Sequence, residues 1–262
     1  MKVKRYYAEH RRLVLGLLSV ISFIVGWEFL LTYVFPLNPF FLTKPSLVAV
    51  AFNEQVIRGA LWRDLAVSSR AFLWGFSFAV LLGIPIGALM GWRRRVEYTF
   101  DAFFTALYAS PLVALAPLII VVFGVGLLAK SALVFLLSVF PFIFNTFAGV
   151  RSTDRLLINV VRSFGGTEKD LYFKVIFPST LPYIVAGARI ALGRGLVGII
   201  VGEFYAASEG IGFAISRFGD TYRLPEMFAA ILVLMIAAVI LTEGLRKLEM
   251  LLAPWRSTLE TR

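Results

Sequence analysis

Six long apolar runs divide this chain, and they leave little choice of architecture. They are Leu13–Phe35, Arg70–Gly91, Val96–Phe123, Ser131–Val150, Pro182–Phe204 and Met227–Leu245. A helix rises ~1.5 Å per residue, so about 20 apolar residues cross ~30 Å of hydrocarbon. The chain is 59% hydrophobic with a mean hydropathy of +0.84, and a soluble fold of 262 residues cannot hide that much apolar surface. The runs are unbroken rather than alternating, which excludes a transmembrane β-barrel. The expected class is therefore an all-α integral membrane protein with about six transmembrane helices.

The first run is too long for a cleaved signal peptide and has no small-residue cleavage site after it, so it reads as an uncleaved helix. Lys and Arg placement sets the expected orientation. With the N-terminus inside, seventeen basic residues fall in the inner segments 1–12, 92–95 and 151–181 and the C-terminal tail, against six outside. That bias places both termini and the 151–181 loop in the cytoplasm. The net charge of +10 follows from those loops and does not imply a nucleic-acid partner. The expected organisation is a tail 1–12, a membrane domain 13–250 carrying the loop, and a tail 251–262.

The functional classes narrow by what is missing. The chain has no cysteine and one histidine, His10, so neither thiolate chemistry nor an imidazole metal site is expected. Gly124 to Ser131 nearly spells a phosphate-binding loop, but Ala129 stands where glycine is required. Gly193-Arg194-Gly195-Leu196-Val197-Gly198 matches a dinucleotide pattern, but within a membrane run rather than after a strand. No catalytic constellation is visible.

Segment five carries other signals. Gly187, Ala191, Gly195, Gly198 and Gly202 recur near a spacing of four, which lets helices approach closely in lipid. Arg189 and Glu203 are 14 residues apart and are expected to share a face, in contact with protein or water because charge at mid-bilayer is costly. Outside, Pro45 to Asp64 reads as an interfacial helix, and Tyr205 to Glu226 as a short irregular or re-entrant connection.

The loop is the longest polar stretch. Thr153 to Phe164 reads as a helix with an apolar stripe of Leu156, Leu157, Val160, Val161 and Phe164. Gly165-Gly166 ends it. Thr167 and Asp170 open a second helix as a capping box, which Pro178 and Pro182 are expected to end.

These residues resemble the EAA loop of ABC-importer permeases. Gly165 fits the motif's glycine and Val175-Ile176-Phe177-Pro178 its end, while Asn159-Val160-Val161 stands where Glu-Ala-Ala would be. The likeness covers most of the chain and is greatest to permeases of the nitrate, sulfonate and taurine type. It includes Gly75-Phe76, Gly83 to Gly87, Ser110 to Leu118, Phe123 to Gly126, Phe140-Pro141 with Asn145-Thr146, Gly187 to Gly195, Glu203, Gly210-Ile211-Gly212 and Pro254-Trp255-Arg256. The resemblance implies a type I importer permease with a cytoplasmic coupling-helix loop, in a prokaryotic inner membrane. It implies a second permease chain (a homodimer), two ATPase subunits that bind ATP and magnesium, and an extracytoplasmic solute-binding protein that meets segments 36–68 and 205–226. It places ATPase docking on Asn159, Arg162, Ser163, Phe164, Gly165, Thr167 and Glu168. The translocation path is expected to involve Ser110, Asn145, Arg189 and Glu203. The substrate is expected to be a small anion such as nitrate, a sulfonate or taurine. A pyrimidine or vitamin precursor stays open, as does an ion-coupled secondary transporter using Glu28 and Glu203.

Overall fold

The computed structural model describes residues 2–34, 42–206 and 208–252, with side chains over 14–34, 42–205 and 208–250. Segment 35–41 and the Pro254-Trp255-Arg256 tail lie outside the described residues. Eleven α-helices occur among them: α1 Lys2–Phe29, α2 Pro45–Ile57, α3 Ala60–Trp92, α4 Arg94–Ala109, α5 Ala116–Phe123, α6 Leu127–Arg151, α7 Arg155–Ser163, α8 Glu168–Leu171, α9 Phe177–Ala206, α10 Ile211–Asp220 and α11 Leu224–Leu252.

Among the described residues, five stretches are long and apolar enough to cross a membrane: Val14–Val34, Ala60–Trp92, Leu127–Arg151, Glu168–Tyr205 and Leu224–Met250. The expected third span, Val96–Phe123, is not one rod. It breaks at Ser110-Pro111, and its two halves meet at 86°. The reason is local. Proline forces the residue before it out of the helical region, and Ser110 is extended at φ −74, ψ 154. Three further expectations are corrected. Tyr205–Glu226 is not irregular throughout, because it contains α10. The segment 45–64 is one helix, α2, up to Ile57; Arg63 and Asp64 already belong to α3. Pro178 and Pro182 do not end the second loop helix. A π-turn over Tyr172–Ile176 carries α8 into α9, the Phe177 N–H donating five residues back to the Tyr172 carbonyl, and both prolines lie within α9.

The chain divides into two compact units. The first comprises residues 1–62 with 214–233. Here the Ser46 N–H and Oγ both donate to the Glu28 carboxylate, at 2.9 and 2.8 Å, tying α2 to α1. Trp27 packs on Phe228 with ring centroids 5.6 Å apart.

The second unit comprises residues 63–213 with 234–262, and α6 is its centre. Two glycine-bearing helices approach α6. From α3 come Gly75, Gly83, Gly87 and Gly91; a Cβ at Gly87 would stand 2.3 Å from the Ile143 carbonyl oxygen. From α9 come Gly187, Gly195, Gly198 and Gly202, and α6 and α9 pack along their length. In lipid, where helices gain nothing by hiding apolar surface from tails, such close approach supplies the dispersion energy of association. Phe140, Phe142 and Ile143 of α6 fill the resulting core with Ala79, Met90, Ala188 and Ala191.

Candidate functional site

The loop between α6 and α9 is built as a braced elbow. Arg151 closes α6 by pairing with Glu97. Asp154 caps α7, its Oδ1 accepting from the Leu156 N–H at 2.8 Å. After α7, Gly165 takes φ +73, the left-handed conformation that glycine adopts without strain. The Gly165 N–H donates to the Arg162 carbonyl and the Gly166 N–H to the Val161 carbonyl, at 3.0 and 2.9 Å, the paired bonds of a Schellman C-cap. The capping box is present as expected: Thr167 Oγ1 accepts from the Asp170 N–H, and the Asp170 carboxylate from the Thr167 N–H. Lys174 adds an ion pair to Asp170 at 2.6 Å.

One face of α7 is anchored. Ile158 and Val161 pack with Ala88, Val150, Leu171 and Ile176, beside Trp92 and Tyr172. The Trp92 and Tyr172 rings stack at 4.7 Å and 16°. Val161 is thus the margin of the apolar stripe that meets the anchored face. The other face stays apolar and uncovered: Leu156, Leu157 and Val160 are exposed, and Phe164 is 87% exposed. All seven expected docking residues are exposed along this ridge and its elbow. Arg162 and Glu168 face each other across the elbow at 3.7 Å.

The four expected path residues do not converge. Ser110 is exposed at the helix break, its Oγ donating to the Leu107 carbonyl. Asn145 is half-buried between α6 and α9, its side-chain amide donating to the Pro141 carbonyl. Arg189 is exposed and pairs with Glu249 of α11 at 2.9 Å. Glu203 is fully buried. Fourteen residues of ideal helix leave Glu203 about 40° round from Arg189, which suffices to turn one inward and leave the other at a margin.

Glu203 instead anchors a clamp. Its carboxylate accepts from Ser68 Oγ of α3 at 2.8 Å and from the Gly212 N–H at 2.7 Å. Lys130, at the start of α6, stands 3.5 Å from it, both side chains being out of solvent. The Lys130 ammonium also donates to the Glu209 carbonyl at 2.7 Å. The lysine of the phosphate-loop lookalike is thus committed to a buried ion pair. Three helices and the 208–212 turn meet on one carboxylate. Sequence reasoning named Glu203 and the Gly210-Ile211-Gly212 turn, but not Ser68 or Lys130, which lie far along the chain. It also passed over Arg194, whose guanidinium lies 4.4 Å over the Tyr108 ring.

The profile of the family described as "Binding-protein-dependent transport system inner membrane component" matches residues 79–248. This chain belongs to that family. It is a multi-pass inner-membrane permease subunit of an ABC-type importer, as the loop and span pattern implied. The formylaminopyrimidine transport permease protein ThiX of Halalkalibacterium halodurans is 35% identical over 222 residues, covering 84% of this permease and 87% of its own length. The taurine transport system permease protein TauC of Escherichia coli is 31% identical over 229 residues, covering 86% and 83%. Among solved structures, a chain of the inward-facing MetNI methionine ABC transporter superposes with a TM-score of 0.60 at 20% identity, over 75% of this permease and 95% of that chain. That likeness concerns the fold.

Proposed function

We propose that two copies of this permease enclose a path for a small oxyanion-bearing solute of the taurine or sulfonate kind, and that ATP-binding subunits drive it from the 151–181 loop. The termini and the loop lie in the cytoplasm, consistent with the Lys and Arg bias. A solute-binding protein delivers substrate at the opposite surface, against segments 36–68 and 205–226. ATP and magnesium are held by the ATPase subunits; this chain binds neither and supplies the lever and the path.

The observation that carries the reading is the uncovered ridge of α7. An amphipathic helix with one face locked to the membrane domain and the other presenting Leu156, Leu157, Val160 and Phe164 is built to enter a groove on another protein. Outside the membrane such a ridge is costly unless a partner covers it. The likeness to TauC supports an oxyanion substrate. The greater identity with ThiX supports a second reading, a pyrimidine precursor.

The test is reconstitution of the permease in liposomes with candidate ATPase subunits and binding proteins. Uptake is expected only with ATP inside and the binding protein outside, and Phe164→Asp is expected to abolish it without unfolding the permease. Uptake by the permease alone along an ion gradient, with no ATPase retained on purification, would overturn the proposal.

A further inference from the structure

The side of α9 turned away from α6 is an open stripe of Ala186, Ile190, Gly193, Val197 and Phe204, all exposed. Two arginines bound it. Arg189 leans to α11 and is neutralised by Glu249. Arg194 leans the other way, onto Tyr108 of α4, and is exposed. Among the described residues no carboxylate stands within ion-pair distance of Arg194.

Depth makes this arrangement informative. Arg194 is twelve residues beyond Pro182, ~18 Å into the span at ~1.5 Å per residue. Tyr108 is fourteen residues beyond Arg94, ~21 Å from the same end. The two meet near the middle of a ~30 Å hydrocarbon layer, too deep for the guanidinium to reach either surface. A lone guanidinium there is costly against lipid. Two residues on from Tyr108, the Ser110-Pro111 break interrupts the helix at the same depth. Irregular backbone at that depth is tolerated where it is enclosed by protein or lines a water-filled cavity. Ser110 is exposed on the single chain, and on the two-copy reading above we take this open side to face the enclosed path rather than the second copy. Two independent features, an unneutralised arginine and an open helix break, therefore mark one place as wet.

Resting on the permease reading above, we propose that Arg194, seated over the Tyr108 ring beside the Ser110-Pro111 break, is an anion-binding station at mid-membrane that admits solutes bearing a sulfonate or similar oxyanion group. A cation–π contact uses none of the guanidinium N–H donors in a hydrogen bond, which leaves the fork that matches a planar or tetrahedral oxyanion. The ring fixes the guanidinium without neutralising it, because a cation–π contact carries no counter-charge. Arg189, already paired with Glu249, has no such capacity.

The absence of cysteine allows a direct test. Ser110→Cys is introduced alone, with Arg194→Gln and with Arg194→Lys, in the permease reconstituted in liposomes. Its modification rate is measured with anionic sulfonatoethyl methanethiosulfonate, itself an alkylsulfonate, and with a cationic trimethylammonium counterpart. Both reagents are expected to react from water, and Arg194→Gln is expected to lower the anionic-to-cationic rate ratio about fivefold, the effect of one unit charge several ångströms away in a wet site. Arg194→Lys is expected to keep most of the ratio. An unchanged ratio in Arg194→Gln, or a thiol that reacts only with an apolar maleimide, overturns the station. ATPase stimulation by a binding protein, measured on the same variants in the assembled complex, separates the two proposals. Intact stimulation with an unchanged ratio removes the station alone; failure of any ATPase to assemble removes the importer mechanism whatever the ratio.

Discussion

Lys130 and Glu203 stand 3.5 Å apart with neither side chain reaching solvent. The carboxylate also takes Ser68 Oγ and the Gly212 N–H. Removing one partner of a buried pair strands the other and costs about 3–5 kcal/mol. Glu203→Ala is expected to be the worse change, since it takes the acceptor from Ser68 Oγ and the Gly212 N–H and the counter-charge from Lys130. Lys130→Met leaves the carboxylate those two hydrogen-bond donors. Thermal unfolding of the detergent-solubilised protein should order the variants as wild type, Lys130→Met, Glu203→Ala; equal midpoints for all three would remove the clamp.

The clamp leaves no room at Gly210. That residue holds φ +119, and a Cβ there would stand 2.1 Å from Glu203 Oε1. Gly210→Ala is expected to destabilise as much as Glu203→Ala, and in the double variant, where the clash with the carboxylate is gone, to cost only the backbone strain of its positive φ. A double-variant cycle on the unfolding midpoint checks this.

Glycines of α9 divide into two kinds. At Gly195 a Cβ would meet Ser138 Oγ at 2.6 Å, whereas nothing lies within 4 Å of a Cβ at Gly193. Gly195→Ala is expected to loosen α6 from α9 and lower stability by about 1–3 kcal/mol. Gly193→Ala is expected to be neutral or to stabilise by about 0.5–1 kcal/mol through helix propensity. Paired thermal-stability measurements decide it.

At the elbow, Gly165→Pro fixes φ near −65° where the backbone holds +73°. It is expected to uncouple ATP hydrolysis from uptake while the membrane domain still assembles. Phe164→Ala is expected to leave stability unchanged and weaken ATPase association by about 2 kcal/mol or more, the effect of truncating an interface anchor. Thr167→Ala loses one cap and about 1 kcal/mol of local stability. Hydrogen exchange over 164–172 and a pull-down of the ATPase subunits read the two effects separately.

Local chemistry was legible in the sequence. The Thr167–Asp170 box and the Gly165 stop depend on residues within a few positions, and both stand in the structure. The span count was legible because hydropathy needs no partner. The break at Ser110-Pro111 was marked by proline, yet the apolar run around it read as one span. Pro178 and Pro182 misled in the opposite sense, because a π-turn let the helix continue. The Lys130–Glu203 pair joins residues seventy-three positions apart, and nothing near either names the other. The apolar stripe of α7 was legible, but not that its Val161 margin is the anchored one, because stripe width alone does not say which margin packs.

From Glu168 to Tyr205 the chain is a single helical stretch of 38 residues, ~57 Å of rod at ~1.5 Å per residue. A rod cannot absorb a displacement at its end the way a loop can. A push at the elbow would become a tilt, and the stretch is interrupted by the π-turn at Tyr172–Ile176, where Tyr172 stacks on the Trp92 ring, and by Pro182 within α9. The fulcrum thus sits close to the driven end. A stroke there would be carried along the rod to the far end, where the Glu203 carboxylate fastens α9 to α3 and α6.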